Sequence, residues 1–326
     1  MSAPHGSLTH DRLAALLPPC FFAPAIAAFA LALVGAPLLL RELESFFYQP
    51  HLLALTHTLT LGWVSLTIQG VLYRYVPGLT KRPIPYPRLA IVQWATFVAG
   101  TVGLVASFWL GRWPAAAGMA GLLAVSSVLV CANLWPMLLG SPRRGVAEVG
   151  LVVSTGFLVA AAVLGTLLAA DKHWPFLRGS VLTNLAAHAH LAALGWVGTT
   201  IVALSFRFLP ALLLPAIDLT AVARRLVLAL GAGVTVLAAL LLLQSDVAWA
   251  AAAALTVLLL AYVTLVLRLV RGRRLPMDWT AWHAVASAGW VAFAAVAGLG
   301  RAVHGAQDLL GARLAAAYGV AGVLGW

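Results

Sequence analysis

Charge is what this chain has least of, and negative charge least of all: nine Asp and Glu stand against 20 Lys and Arg in 326 residues. Charged residues make up 9% and hydrophobic ones 63%, where soluble domains run about a quarter charged and half apolar. Water is therefore not the main solvent. Cysteine is scarce too. Cys20 at the mouth of the first apolar run and Cys131 deep in another give neither the number nor the spacing of a disulfide framework or a zinc site. The acidic residues fall in loops or near the ends of apolar runs, which leaves no mid-span carboxylate for a proton channel. The segment before Cys20 lacks a compact apolar core followed by a small-residue cleavage site, which argues against a removed signal peptide. A net charge of +11 would suggest nucleic acid in a soluble protein. Here the basic residues sit in loops and helix ends, where they set membrane orientation instead, so no nucleic-acid partner is expected.

What the chain has in abundance is apolar runs of about 20 residues, the length that crosses a bilayer as a helix. They fall at 20–40, 51–76, 89–110, 115–139, 146–170, 181–209, 221–243, 247–269 and 280–304. The reading is an all-α, polytopic transmembrane helical bundle, one membrane domain over 1–326 with the lipid bilayer as its main partner. A tenth run begins near Arg313. The residues after it would cover about 20 Å as a helix, short of a hydrocarbon core of roughly 30 Å, so the expectation is a parent truncated at its C-terminus. Of the 20 Lys and Arg, 14 fall at the N-terminus, in the loops after helices 2, 4, 6 and 8, or in the adjoining helix ends. That side is expected to be cytoplasmic, with the N-terminus inside and the protein in the inner (plasma) membrane.

An internal repeat is the most informative feature. Helix 2 reads HTLTLGWVSLTIQGVLYRYVP from His57 and helix 6 reads HLAALGWVGTTIVALSFRFLP from His190, and every match keeps the interval that separates these two histidines. Gly62 pairs with Gly195, Trp63 with Trp196, Arg74 with Arg207 and Pro77 with Pro210. Leu324, Gly325 and Trp326 open a third copy. The unit is then four helices: repeat one over 51–170, repeat two over 181–304, the start of repeat three at 313–326, and helix 1 at 20–40 outside them. Gly62 and Gly195 either admit a neighbouring helix or leave room for a flat cofactor. Arg74 and Arg207, each on the turn before a proline, suit snorkelling to the interface where the helix ends.

The histidines carry the chemistry. His57 stands about 26 Å along a helix from Arg74, which places it in the outer part of the hydrocarbon, where polar groups face a cavity, a partner or a cofactor. A hydrogen bond across helices is the plain alternative, and recurrence at His190 weighs against it. His188 and His190 are two apart and point about 200° apart on a helix, so they cannot chelate one metal together but can serve two sites on opposite faces. That disfavours a local zinc site and suits axial ligation of haem iron by His57, His188 and His190. His51 and His304, at the same end, are candidates for a second ligand or a haem-edge contact, or else wet interfacial residues. His173 and His283 fall outside this group.

The string AHAHLAALGWVGTTIVALSFRFLP, 187–210, resembles the HxH-bearing helix of the haem-copper oxidase subunit I superfamily, above all its cbb3-type oxidase and nitric-oxide reductase branch. THTLTLGWVSLTIQGVLYRYVP of helix 2 looks similar. The resemblance implies twelve helices in three four-helix arcs, a low-spin haem ligand at the position His57 matches, and an HxH pair with one haem on each side at His188 and His190. The departures are specific. The HxH is on the sixth helix rather than the tenth, Tyr318 takes the place equivalent to His188 in the last run, no HPEVY-like helix occurs, and no adjacent His-His pair supports copper. The NnrS family of haem- and copper-containing membrane proteins is a second resemblance. The expected function is a membrane haem protein, the haem b-type, with an electron-transfer or diatomic-gas (O2 or NO) role and a membrane or periplasmic redox partner. If it is an enzyme, it is an oxidoreductase of the oxidase type, though no catalytic residue is identified. The alternatives are a secondary transporter or metal-handling permease, and a non-catalytic oxidase-like accessory subunit.

Overall fold

In a computed structural model, which describes residues 5–39, 42, 48–304, 314, 317–319 and 321–322, the described chain contains nine helices long and apolar enough to cross a membrane. These are α1 (His5–Leu38), α2 (Pro50–Thr80), α3 (Pro87–Trp109), α4 (Trp113–Leu139), α5 (Val146–Asp171), α6 (Val181–Leu213), α7 (Thr220–Leu242), α8 (Ala248–Arg271) and α9 (Trp279–His304). The protein is a helical polytopic bundle, and among the described residues there is no strand.

The starts and stops have local causes. Pro opens α2 and α3 and stands in the first turn of α4, where its missing N–H is not needed and its fixed φ suits the helix. α2 and α6 do not end at Pro77 and Pro210 as their sequences suggest. Each runs on to Thr80 or Leu213 and stops on a left-handed residue, Lys81 (φ 56°) and Leu214 (φ 46°). A proline in the last turn forfeits one backbone bond, too little to end a helix. α1 likewise begins earlier than the apolar run. Cys20 is therefore well inside it rather than at its mouth, and α1 keeps its helical course through Pro18, Pro19 and Pro24. Pro24 leaves the Cys20 carbonyl without a helical donor, and the Trp94 indole N–H of α3 supplies one at 2.8 Å. Such repair from a neighbouring helix is what makes proline tolerable in hydrocarbon.

The chain forms two compact units, Met1–Pro142 with Leu158–Arg178, and Arg143–Phe157 with Gly179–Trp326. In unit 1, α3 packs along α4 while α1 crosses α2. Gly62 of α2 lies where a Cβ would sit 2.7 Å from the Ala28 Cβ, so the glycine is used for helix approach and leaves no gap. In unit 2, α8 packs on α9 and α7 on both α6 and α8. Gly195 faces Phe157 in the same way, with a Cβ 2.6 Å from the ring. Of the two uses the sequence allows for these glycines, the structure has the first.

Candidate functional site

The histidine-bearing ends of α2 and α6 are built alike. His57 donates its Nδ1–H to the Leu53 carbonyl at 2.7 Å, and His190 donates to the Ala186 carbonyl, also at 2.7 Å. A carbonyl can only accept, so Nδ1 carries the hydrogen, and in the neutral ring Nε2 then holds the lone pair. This is the tautomer that binds iron, with the ring held by an outer hydrogen bond. The bond alone is not diagnostic: exposed His283 makes the same contact to Trp279 O at 2.6 Å. His57 and His190 are set apart by their position in the span and by the shape of the helix on their C-terminal side.

Immediately after each histidine the helix widens. Thr58–Ser65 and Leu191–Gly198 are π-helical, and both their first and last residues keep the interval that separates His57 from His190. The Leu66 N–H reaches the Leu61 carbonyl and the Thr199 N–H the Leu194 carbonyl, five residues back rather than four. The repeated Leu-Gly-Trp lies wholly inside these turns. Wide turns of this kind are rare in helices and concentrate at functional sites. Nothing in the apolar pattern announces them, and sequence reasoning missed them.

Around the rings, His57 packs against Phe108 of α3 with centroids 5.1 Å apart. His190 stacks on Tyr318 at 5.8 Å and 28°, so the tyrosine expected at the place of His188 meets His190 instead. Both histidines are half-buried, as is His188. Asn184, one turn before His188, is buried and accepts a hydrogen bond from Gln244 Nε2 at 3.3 Å, while the Ser180 N–H donates to Gln244 Oε1 at 2.9 Å. This ties the start of α6 to the end of α7. His51 Nδ1 lies 2.9 Å from the Glu42 carboxylate with its ring on Trp109 at 4.5 Å, which makes it a hydrogen-bond partner of that carboxylate. His304 is exposed. Among the described residues, no three His, Cys, Asp or Glu side chains come together as a metal cluster. Ligation would rest on single imidazoles, as it does for haem.

A second polar feature of unit 1 escaped the sequence reading. Gln93 Nε2 donates to Gln69 Oε1 at 2.7 Å and to Ser126 Oγ at 3.2 Å, and Ser126 Oγ donates back to the Gln93 carbonyl at 2.8 Å. This joins α2, α3 and α4 through three residues with no exposed surface. One turn along α2 from Gln69, Tyr73 faces Asn133 of α4, whose Oδ1 accepts the Tyr86 N–H at 3.1 Å. The signal in the sequence was five carboxamide and hydroxyl side chains inside apolar runs, unremarkable until three helices bring them together.

At the loop ends, Lys172 places its ammonium 4.2 Å from the Tyr48 ring and 5.4 Å from Trp113. Burial, and then the Asp171 carboxylate, raise the Tyr48 phenol above its usual pKa. Asp218, before α7, is lowered by hydrogen bonds from Thr220. Compared with protein-family models, with curated proteins and with solved structures, the chain matches none.

Proposed function

We propose that this chain is a membrane haem protein in which His57 and His190 supply axial imidazoles, with His188 serving the opposite face of α6. The observation that carries the reading is a recurrence at equivalent places in the two repeats: a half-buried histidine with Nδ1–H tied to the carbonyl one turn back, and a π-helical turn beginning at the next residue. The donor chemistry fits haem: a neutral imidazole of fixed tautomer, oriented by a backbone acceptor and partly open at the ring. The iron would supply reversible electron uptake or diatomic-gas binding. The chain's part is to hold Nε2 forward, keep the surroundings apolar, and orient the rings through Phe108 and Tyr318.

The same recurrence, with the left-handed stops at Lys81 and Leu214, supports four-helix repeats and the resemblance to haem-copper oxidase subunit I with its twelve-helix parent. The absence of a histidine pair in the sequence supports a member without copper. The haem would be b-type, the redox partner membrane-bound or periplasmic, and the arginine-rich loops cytoplasmic by the charge rule. The test is optical. Protein expressed with ample haem is expected to show a Soret band that shifts or weakens in His57→Ala and again in His190→Ala. No band, or one that both substitutions leave unchanged, overturns the proposal. Substrate flux in haem-free proteoliposomes would favour the permease reading, which draws on the same widened turns. Copurification with a partner and no cofactor would favour the accessory one.

A further inference from the structure

The polar centre of unit 1 is under-satisfied. Gln69 Nε2 and Gln93 Oε1 are buried atoms with no hydrogen-bond partner, and so are Tyr73 Oη one turn along α2, Asn133 Nδ2 two turns from Ser126 along α4, and Thr101 Oγ1 two turns from Gln93 along α3. Gln69, Gln93 and Asn133 have no exposed surface, Tyr73 2% and Thr101 6%. All five sit on α2, α3 and α4, and Ser126 is at the midpoint of α4. An amide or hydroxyl in hydrocarbon without a partner costs several kcal/mol. Exchanging the Gln69 amide oxygen and nitrogen does not relieve it, because the Gln93 amide would then meet another donor. The set cannot close on itself.

The equivalent positions of the second repeat make the contrast sharp. In the register that pairs His57 with His190, Val202, Leu226, Leu259 and Val234 stand where Gln69, Gln93, Ser126 and Thr101 stand in unit 1, with Phe206 and Val266 for Tyr73 and Asn133. Val202, Val234 and Leu259 line a small apolar cavity of about 10 Å³. An apolar cavity stays dry, whereas a polar one takes up water that makes two to four hydrogen bonds.

We propose that unit 1 holds ordered water in its interior, bound at the Gln69–Gln93 pair and reaching along α2 to Tyr73 and Asn133, while the matching interior of unit 2 is dry. The orphaned groups are neutral and mixed: two amide donors, one carbonyl acceptor and two hydroxyls able to do either. A cation would find one carbonyl and no charge, and an anion would meet that carbonyl. Small neutral molecules that both donate and accept satisfy such groups, and water is the smallest of them. The inference stands independently of haem.

The test is hydroxyl-radical labelling by X-rays in purified full-length protein, where radicals form in place from bound water. Tyr73 and Tyr262 are both buried, 2% and 4% exposed, and Tyr262 lies in the apolar unit, hydrogen-bonded to Ser205 at 3.0 Å. Tyr73 is expected to label several-fold faster than Tyr262, and to fall to the Tyr262 rate in the triple variant Gln69→Val, Gln93→Leu, Ser126→Leu. Equal rates in the unaltered protein overturn the proposal without any variant. A fast Tyr73 that the triple variant, or Gln93→Leu alone if the triple fails to fold, leaves unchanged overturns the assignment to this centre. A heavier neutral adduct retained in native mass spectrometry and lost in the variant overturns water as the occupant.

Discussion

Between α2, α3 and α4 of unit 1 lie two glutamines, a serine, a threonine, a tyrosine and an asparagine; at the equivalent positions unit 2 has two valines, two leucines, a phenylalanine and a third valine. Yet the histidine tie, the widened turn, the late proline and the left-handed stop are the same in α2 and α6. The backbone devices therefore do not depend on what fills the interior. They answer to local requirements at the helix, while interior polarity is set separately. Since apolar side chains hold such a framework without unsatisfied groups, the polar interior of unit 1 costs stability and serves something other than the fold.

The sharpest way to break this comparison is to exchange the interiors. Val202→Gln places an unpaired carboxamide in the dry unit and is expected to destabilise it by about 3 kcal/mol or more. Gln69→Val is expected to cost less, about 1–2 kcal/mol, because Gln93 Nε2 keeps Ser126. Denaturant titration in detergent measures both, and equal costs would mean the interiors do not differ as described. A smaller effect isolates the repair at Pro24. Trp94→Phe removes the indole bond to the Cys20 carbonyl and is expected to cost about 1 kcal/mol. The cost should shrink in a Pro24→Ala background, where residue 24 regains its N–H and bonds that carbonyl itself. Unit 2 has Val227 at the place of Trp94, so no such coupling is expected there. A double-mutant cycle without coupling would show that the indole is not the carbonyl's replacement donor. The smallest effect is at Tyr48. Its phenol is raised in the folded state by burial and by Asp171, so the neutral ring favours the fold at pH below the ordinary tyrosine range. That contribution is lost as pH climbs through the raised value. Tyr48→Phe should flatten the alkaline loss of stability slightly, and an unchanged alkaline profile would remove Tyr48 as its source.

The nine spans were legible in the sequence because a run of about 20 apolar residues has one stable solution in a bilayer. The histidines were legible because a polar ring is costly at that depth and because they recur. The wide turns were not, since Thr58–Ser65 and Leu191–Gly198 are as apolar as ordinary helix and differ only in which carbonyl each N–H finds. The ends at Lys81 and Leu214 were hidden behind prolines that read as stops. The polar centre was hidden for another reason: Gln69, Gln93 and Ser126 stand on three different helices, and no spacing rule along one helix links them. Carboxylates and histidines were the polar groups inside the spans that the sequence reading weighed, and the amides went by.

The wide turn in α2 also sets a phase relation. An α-helix advances about 100° per residue, and a turn closed five residues back accommodates one residue more than an ordinary one. His57 lies before that turn, and Gln69 and Tyr73 lie after it. Rewinding Thr58–Ser65 as ordinary helix at full length would rotate the two ends of the helix against each other by about that angle, whereas deleting a single residue there would restore ordinary winding and leave them in phase. The imidazole and the carboxamide of α2 thus keep their separate faces across one surplus residue, which the wide turn takes up as slack between two gears on a common shaft.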